Sequence, residues 1–287
     1  MGTFFRCLHL LFIFFAFIIS IPQNFKIVGL KNFGETCYAN AVFQLLYRSQ
    51  DFRTSLDEYL RTNQNRRLAA LNKIFLDMDN AESGETVTPN TFAALPEYFD
   101  KNSQYDVAEL IAKYQEIPHF NWTPFAIKIQ KLAHQKPSKL LSVEFDLELF
   151  LNVPEIKKPR LSDLLDLHFR ISRIRSVSKN LIIRIKRLHK VNGHDEKIIT
   201  EIPVPENIQL KQDYFVDKQT SSPQYRLDSF IEHCGNCSDG GHYVFYFHEN
   251  NTGDHYVIND EIVQKISKET FLKRAAQAYL FLYQIIE

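Results

Sequence analysis

The sequence of 287 residues has no net charge, because 34 Lys and Arg residues balance 34 Asp and Glu residues. Without an excess of positive charge there is no long-range field to attract nucleic acid. There is also no basic stripe with interleaved aromatic residues, so the sequence argues against a nucleic-acid partner. Repeats and low-complexity runs are missing after the first 24 residues, and a hydrophobic share of 45% is enough for a sizeable core.

Cysteine is scarce. Of the four cysteines, Cys7 lies in the leader, which leaves Cys37, Cys234 and Cys237 in the folded part. An odd number is a poor basis for a disulfide framework, and a reducing compartment fits better. Cys234 and Cys237 form a lone Cys-x-x-Cys pair, whereas a four-ligand zinc site needs two further ligands. We therefore expect loop thiols, no metal and no cofactor.

Long hydrophobic runs are also missing, except for one near the start. Leu8 to Ile21 is apolar apart from His9 and Ser20, and it has the length of a signal-peptide core but is short for a membrane span. Counting from residue 4 gives a marginal span over 4–21, and no small-residue cleavage site follows. Residues 1–24 therefore have three open interpretations: a membrane anchor, a cleaved secretory signal, or a gene-model extension. The flanking charges are too balanced to orient a span.

In the remaining chain, the pattern of apolar and polar residues changes near Pro118. From Cys37 onward apolar residues recur at spacings of three and four, which is typical of helices with one buried face. After Pro118 apolar and polar residues alternate, which is typical of strands. Helices followed mostly by strands predict the α+β class. We expect helices within 51–79, 104–114 and 161–167, and strands at 126–130, 143–149, 181–185, 225–231, 243–247, 256–258 and 278–283.

Cys37 stands where the first helix is expected to begin, after Gly34 for the turn and Thr36 as N-cap. The unpaired N–H groups of a first helical turn favour negative charge and hence a thiolate nucleophile. Asn32 lies five residues upstream, where its amide can donate to a developing oxyanion. The structural alternatives are a buried helix cysteine and an Asx-turn at Asn32.

His242 follows two glycines and opens a strand, and a polar loop and a second strand follow. A hairpin centred on Asn251 puts His242 opposite Asn259 or Asp260, and the register does not choose between them. A carboxamide or carboxylate there would fix the imidazole tautomer. The alternative is an ordinary edge-strand histidine. A cysteine and a histidine distant in sequence and close in space form a nucleophile and its base.

Five collinear motifs resemble those of the ubiquitin-specific proteases, a papain-like cysteine peptidase family. Gly29-Leu30-x-Asn32-x-Gly34-x-Thr36-Cys37-Tyr38-x-Asn40 is similar to the family's cysteine box, and Gly241-His242-Tyr243-x-x-Tyr246 with Asn259-Asp260-x-x-Val263 to its histidine box. Gln104-Tyr105-Asp106-Val107-Ala108-Glu109-Leu110, the strand from Leu181 to Leu188, and Ala278-Tyr279-Leu280-Phe281-Leu282-Tyr283 are similar to three further motifs. Together they cover almost the whole folded part.

The resemblance implies a catalytic domain over 25–287, with a helical thumb at about 25–117, short β fingers at about 118–176 and a β-rich palm at about 177–287. It also implies site roles: Cys37 as nucleophile, His242 as base, Asn259 or Asp260 as orienting group, Asn32 as oxyanion donor, and Gln104, Asp106, Glu109 and Tyr243 as contacts for the ubiquitin tail. For Asp106 and Glu109, a spacing of three places both on one helix face, and an exposed charged face is the alternative.

The implied function is a deubiquitinating cysteine peptidase that cleaves after the terminal glycine of ubiquitin. An idle ubiquitin-binding module, a peptidase for a ubiquitin-like modifier and a secreted papain-type endopeptidase are the alternatives. The chain departs from the family pattern at Glu35, where Asn is usual, and at His255-Tyr256, where Trp is usual. Because ubiquitin chemistry belongs to the cytosol and nucleus, we expect a cytoplasmic protein, with any anchor holding the catalytic domain towards the cytosol.

Overall fold

The computed structural model describes residues 25–133, 136–146, 148–154, 157–191, 194–217, 222–235 and 240–286. The hydrophobic leader and Cys237 lie outside these ranges. Helices dominate the first part of the described chain, as the apolar spacing predicts. They are α1 (Cys37–Tyr47), α2 (Gln50–Thr62), α3 (Arg66–Asn80), α4 (Thr91–Ala94), α5 (Val107–Gln115), α6 (Leu161–His168) and α7 (Lys268–Ala275).

The strands dominate the second part. They are β1 (Gly29–Leu30), β2 (Thr86–Val87), β3 (Ile127–Ala133), β4 (Lys136–Asp146), β5 (Glu148–Asn152), β6 (Ser172–Ser176), β7 (Asn180–Lys186), β8 (Leu188–Val191), β9 (His194–Lys197), β10 (Asn207–Gln209), β11 (Gln224–Cys234), β12 (His242–Glu249), β13 (Asp254–Asn259), β14 (Ile262–Ile266) and β15 (Leu280–Ile285). The α+β prediction is confirmed.

An eight-stranded sheet forms the centre of the fold. Its order is β14-β13-β12-β11-β15-β7-β5, with β10 also paired to β11. Its pairs are antiparallel except β5 with β7. A smaller sheet has the order β4-β3-β6, and the short pairs β1-β2 and β8-β9 complete the described strands.

The central sheet is buried on both faces because its middle strands are apolar at successive positions. Phe245 and Phe247 of β12 pack with the helices α1, α2, α3 and α5, whereas Val244 and Tyr246 of the same strand pack with α6 and α7. Burial of each such side chain contributes about 1.5–3 kcal/mol to folding. The sheet therefore separates a helical core from a second core.

Side chains at the helix starts explain where several helices begin. Ser49 accepts a hydrogen bond from the Phe52 N–H at 3.3 Å, and Asn65 accepts one from the Leu68 N–H at 3.0 Å. Such caps satisfy N–H groups that have no partner inside the helix. A cap also corrects a predicted boundary: Asp106 caps α5, so that helix begins at Val107 and not at residue 104.

Two further predictions need correction. The alternating segment 143–149 is not one strand: β4 ends at Asp146 in the small sheet and β5 starts at Glu148 in the central sheet, with residue 147 outside the described ranges. Alternation gives the same signal for a strand that continues and for one that changes sheets. α7 was not predicted, because its face is mostly charged, with Phe271 and Ala275 as its buried residues.

A buried ion pair joins the end of α1 to the far end of β12. A guanidinium nitrogen of Arg48 lies 2.9 Å from a carboxylate oxygen of Glu249, and both side chains are buried. The guanidinium also lies 3.6 Å from the centre of the Phe247 ring. Buried charges need such partners, because desolvation of a lone charge is costly. The pair fixes the helix against the hairpin.

Candidate active site

Cys37 is the first residue of α1 and is almost fully buried, with 3% of its surface exposed. The preceding loop is held by its own side chains. Asn32 Oδ1 accepts from the Thr36 N–H at 3.2 Å and from the Thr36 hydroxyl at 3.1 Å. Gly34 has a φ of 99°, which favours glycine. Thr36 occupies the N-cap position but makes no side-chain cap bond to α1, because its hydroxyl oxygen accepts from the Phe33 N–H at 3.0 Å.

His242 is the first residue of β12, and the hairpin that carries it is centred half a residue later than predicted. β12 pairs with β13 from Phe245 opposite Ile258 to Glu249 opposite Asp254. The four-residue turn between the strands ends at Gly253, whose φ of 75° suits glycine. An even-numbered turn places the centre between residues 251 and 252, and not on Asn251 as predicted.

Asn259 and Asp260 both approach the imidazole, at different distances. Asn259 Oδ1 lies 2.5 Å from His242 Nε2, and Asp260 Oδ2 lies 3.6 Å from the same nitrogen. The Asn259 contact is a hydrogen bond, whereas the Asp260 contact is a longer electrostatic one. The sequence left these two alternatives open, and the geometry gives the direct contact to Asn259.

Interaction with the Cys37 side chain is the largest cause that raises the pKa of His242 to about 9. Partial burial of the ring opposes the shift, while the Asn259 hydrogen bond and the charges of Cys37 and Asp260 add to it. A raised pKa favours the imidazolium form at neutral pH. The sulfur and the imidazole, 205 positions apart in sequence, are therefore close enough to interact.

Asp260 connects the cysteine loop to the histidine hairpin. Its carboxylate accepts from Asn32 Nδ2 at 2.7 Å and from Asn40 Nδ2 at 2.8 Å, and its backbone carbonyl accepts from the Leu30 N–H at 2.8 Å. Its φ of 51° is unusual for a residue other than glycine. Of these partners, Asn40 was in the motif but had no assigned role. Its position one helical turn after Cys37, on the same face of α1, was the available signal.

Because Gly29 has no side chain, the backbone of β1 can approach the turn at Asp260 and Glu261. A Cβ atom at position 29 would lie 2.4 Å from the Glu261 carbonyl oxygen and 2.9 Å from the Asp260 carbonyl oxygen. Contacts that short do not occur in folded proteins, so only glycine fits without a shift of the backbone. The glycine thus has a steric role at the site.

The expected tail contacts cluster at the start of α5. Gln104 Oε1 accepts from the Gly241 N–H at 3.0 Å. Asp106 accepts from the Ala108 N–H at 2.6 Å with one oxygen and from the Tyr279 hydroxyl at 2.8 Å with the other. Asp106 is therefore a cap that joins α5 to Tyr279, and it lies just before the helix whose first turn carries the exposed Glu109.

Tyr243 belongs to the same cluster. Burial is the main cause that raises its pKa well above the ordinary value, and the Val107 backbone partly offsets that rise. A neutral phenol therefore lies beside the start of α5 at all physiological pH values. The nine predicted site residues lie near the starts of α1, α5 and β12 and at the end of β13, which hydrogen bonds connect, and their functional roles stay predictions.

The described residues also bear on metal binding, free thiols and membrane spans. Within the described ranges, no group of three or more His, Cys, Asp or Glu side chains is placed to hold a metal ion. Cys37 and Cys234 are free thiols. Among the described residues, no helix combines the length and the apolar character that crossing a bilayer requires. The leader, on which the membrane prediction depends, is not among them.

Comparison with known proteins agrees with this geometry. Residues 28–283 match the family described as ubiquitin carboxyl-terminal hydrolase. The chain belongs to the ubiquitin carboxyl-terminal hydrolase family, and it is a thiol-dependent hydrolase of the deubiquitinase class. The predicted family and enzyme class are therefore confirmed.

Solved structures show the same fold. One similar chain belongs to the SAGA DUB module Ubp8/Sgf11/Sus1/Sgf73 bound to ubiquitin aldehyde, with 20% identity, a TM-score of 0.72, and coverage of 93% of this chain and 71% of that one. A second belongs to that module bound to monoubiquitin, with 20% identity, a TM-score of 0.71, and coverage of 91% and 69%. A third, from the yeast SAGA DUB module, has 20% identity, a TM-score of 0.69, and coverage of 93% and 70%. At this identity the likeness establishes the fold.

Proposed function

We propose that this chain hydrolyses the bond after the C-terminal glycine of ubiquitin on protein conjugates, with Cys37 as nucleophile and His242 as base. The observation that carries the proposal is the position of Cys37 at the start of α1 beside His242, whose imidazole Nε2 lies 2.5 Å from Asn259 Oδ1. A nucleophile, a base and an orienting group in a row are the requirements for acyl transfer by a thiol.

Asn259 fixes the tautomer of the base. Because it contacts Nε2 of His242, the other ring nitrogen, Nδ1, is left for the sulfur. The proton of the thiol passes to that nitrogen, and the thiolate attacks the glycine carbonyl carbon. The protonated imidazole then donates the proton to the departing lysine amine. General acid–base transfer of this kind contributes about 10²- to 10⁴-fold in rate.

A second half-reaction restores the enzyme. Water loses a proton to His242 and attacks the thioester carbon, which releases the ubiquitin carboxylate and the Cys37 sulfur. In both halves the carbonyl oxygen becomes negative. The Cys37 backbone N–H at the first turn of α1 is one donor for that charge. Asn32 is the second: one hydrogen of its Nδ2 binds Asp260, and the other remains for the oxyanion.

Recognition of the substrate lies at the start of α5. Two structurally similar chains are bound to monoubiquitin and to ubiquitin aldehyde, which supports ubiquitin as the partner of this chain. Glu109 is an exposed acid in the first turn of α5, and with Asp106 it gives this end of the helix a negative character suited to a basic tail.

The proposed thumb, fingers and palm correspond to regions of different architecture. Residues 25–117 contain α1 to α5, residues 118–176 contain the sheet β4-β3-β6 with β5 and α6, and residues 177–287 contain most of the central sheet. We expect the small sheet to contact the globular body of ubiquitin while the tail enters the cleft. The hydropathy of residues 4–21 supports a membrane anchor, and ubiquitin as the substrate supports a catalytic domain that faces the cytosol. Full release by carbonate extraction would be the contrary result for the anchor.

The test uses ubiquitin that carries a C-terminal electrophile. We expect the wild-type chain to form a covalent adduct, located at Cys37 by mass spectrometry, and to release a fluorogenic group from a ubiquitin substrate. Cys37→Ala should lower kcat by about 10⁴-fold or more, because no other group supplies the nucleophile. Its affinity for ubiquitin should be retained.

Two controls accompany this test. Probes built on ubiquitin-like modifiers are run at the same concentration, and faster reaction with one of them would reassign the substrate. Cys234→Ala removes the other described thiol, whose sulfur lies 3.8 Å from a guanidinium nitrogen of Arg274, and it should react at the wild-type rate. Full turnover by Cys37→Ala, or a wild-type chain that binds ubiquitin and never reacts, would contradict the proposal.

A further inference from the structure

Gly241, the residue before His242, exposes bare backbone beside the catalytic pair. A Cβ atom at this position would lie 2.1 Å from His233 Nε2 and 2.7 Å from the Cys234 carbonyl oxygen. Only glycine fits there, so no side chain of residue 241 shields its own N–H. That N–H donates to Gln104 Oε1 at 3.0 Å.

The first residues of β12, the strand that follows Gly241, are not paired with β13. The ladder between β12 and β13 begins at Phe245, although β12 itself begins at His242. An extended peptide can add to such an edge through main-chain hydrogen bonds. A peptide that presents its carbonyl to Cys37 passes the residue next to the imidazole. The Gly241 N–H is therefore placed to donate to a substrate carbonyl.

The Gly241 N–H is already bound by the amide oxygen of Gln104, which has the same chemistry as a peptide carbonyl. A side-chain amide carbonyl and a peptide carbonyl are equivalent acceptors of a hydrogen bond. Gln104 is exposed, so its side chain can rotate into water. Asp106, two residues later, differs because it is partly buried and both of its oxygens are bound, one by the helix it caps and one by Tyr279.

We propose that Gln104 is a reversible placeholder for the ubiquitin tail: its amide oxygen holds the Gly241 N–H in the free enzyme, and a carbonyl of the tail displaces it. This inference rests on the proposed function. If Gln104 contacted the substrate directly, removal of its amide would slow the reaction with ubiquitin. If Gln104 competes with the tail, its removal should speed the reaction. The fraction of enzyme in the closed arrangement lowers the apparent affinity for substrate.

The test compares Gln104→Met with Gln64→Met. Methionine keeps the length of the side chain and removes the strong acceptor, and Gln64 is an exposed glutamine between α2 and α3. For Gln104→Met we expect the second-order rate constant for adduct formation with electrophilic ubiquitin to rise about 2- to 12-fold, the ratio that one neutral hydrogen bond carries. Gln64→Met should react at the wild-type rate.

Alkylation of Cys37 by iodoacetamide, measured on the Cys37 peptide, is the second readout. A small electrophile needs no tail contact, so its rate should be equal in all three proteins. A Gln104→Met rate with the ubiquitin probe at or below the wild-type rate overturns the inference. Unchanged alkylation then indicates a direct tail contact, and slower alkylation indicates that Gln104 positions His242. A wild-type chain that alkylates and never reacts with the ubiquitin probe contradicts the proposed function itself.

Discussion

The cluster around Cys37 and the segment before α5 differ in the partners of their polar groups. In the cluster, His242 lies between Cys37 and Asn259, in the order that the reaction needs. In the segment before α5, Gln104 and Asp106 are bound to Gly241 and Tyr279 of the same molecule. The chemical groups are thus assembled before substrate arrives, whereas the groups expected to meet the substrate are already occupied.

Because of this difference, the two regions should affect different kinetic constants. An assembled cluster needs little rearrangement during the reaction, which is how preorganised sites lower a barrier. An occupied binding segment instead exchanges internal hydrogen bonds for bonds to the substrate, and that exchange affects KM more than kcat. Variants of the cluster should therefore change kcat and the pH dependence, and variants of the α5 segment should change KM or the rate of probe capture.

Among the variants that test the difference between the two regions, we expect the largest effect from Asn259, the orienting residue. Asn259→Ala removes the hydrogen bond to His242 Nε2 and frees the imidazole to rotate. We expect kcat on a fluorogenic ubiquitin substrate to fall about 100-fold, as is common when a catalytic group loses its alignment. The melting temperature should change little, because the side chain is partly exposed at the end of β13.

Asp260→Ala is the matched variant for that prediction. It removes the acceptor of the Asn32 amide and one acceptor of the buried Asn40 amide, which keeps the Leu30 carbonyl as a partner, so the free energy of unfolding should fall by about 1–3 kcal/mol. Denaturant titration measures this difference. If Asn259→Ala were as destabilising as Asp260→Ala, or if it left kcat unchanged, the division of roles between the two residues would be wrong.

The second effect concerns the protonation of the base. The ordinary pKa of histidine is 6.5, and contact with Cys37 is the largest cause that raises the pKa of His242 to about 9. Because the folded-state pKa is raised, the stabilisation is complete below pH 6.5 and is lost as the pH rises through about 9. The same proton serves the leaving amine, so kcat/KM should fall about tenfold per pH unit above that pKa.

NMR titration of the His242 ring checks this prediction directly. In Cys37→Ala the largest raising cause is gone, and we expect the midpoint to move to lower pH. His233 is an internal reference, since burial is the main cause that lowers its pKa to about 4. A His242 midpoint that is equal in the two proteins would show that the sulfur and the imidazole are not coupled.

The smallest expected effect concerns the packing behind the site. Gly29→Ala forces a Cβ atom against the carbonyl oxygens of Asp260 and Glu261. We expect a loss of about 1–3 kcal/mol in the free energy of unfolding, with a fall in kcat because Asp260 is displaced. Gly253→Ala is the control: its φ of 75° strains the backbone, but no atom lies within 4 Å of its Cβ. It should lose about 1–2 kcal/mol and keep kcat.

The sequence predicted the catalytic pair because the chemistry depends on local signals. A cysteine at a helix start and a histidine at a strand start are visible in composition and spacing, and the hairpin brings Asn259 or Asp260 to the imidazole. The choice between these two was not predictable. It depends on a turn centred half a residue later than expected and on the positive φ of Asp260.

The contacts of the α5 segment were harder to predict for a different reason. Asp106 and Gln104 form bonds with Tyr279 and Gly241, which are 173 and 137 residues away in sequence. A helical face can be predicted from a spacing of three or four residues, but the partner across a cleft depends on how the thumb and the palm pack. The break between β4 and β5 was missed for the same reason.

The ion pair between Arg48 and Glu249 has a consequence for how this chain can vary. α1 is fastened to β12 near both of its ends, by Cys37 with His242 at one and by Arg48 with Glu249 at the other. The helix α1 and the strand β12 are therefore held in a fixed position relative to each other. The long stretch of chain between residues 48 and 242 can lengthen or shorten through insertions and deletions without altering the spacing of sulfur and imidazole, which leaves the small sheet free to diverge.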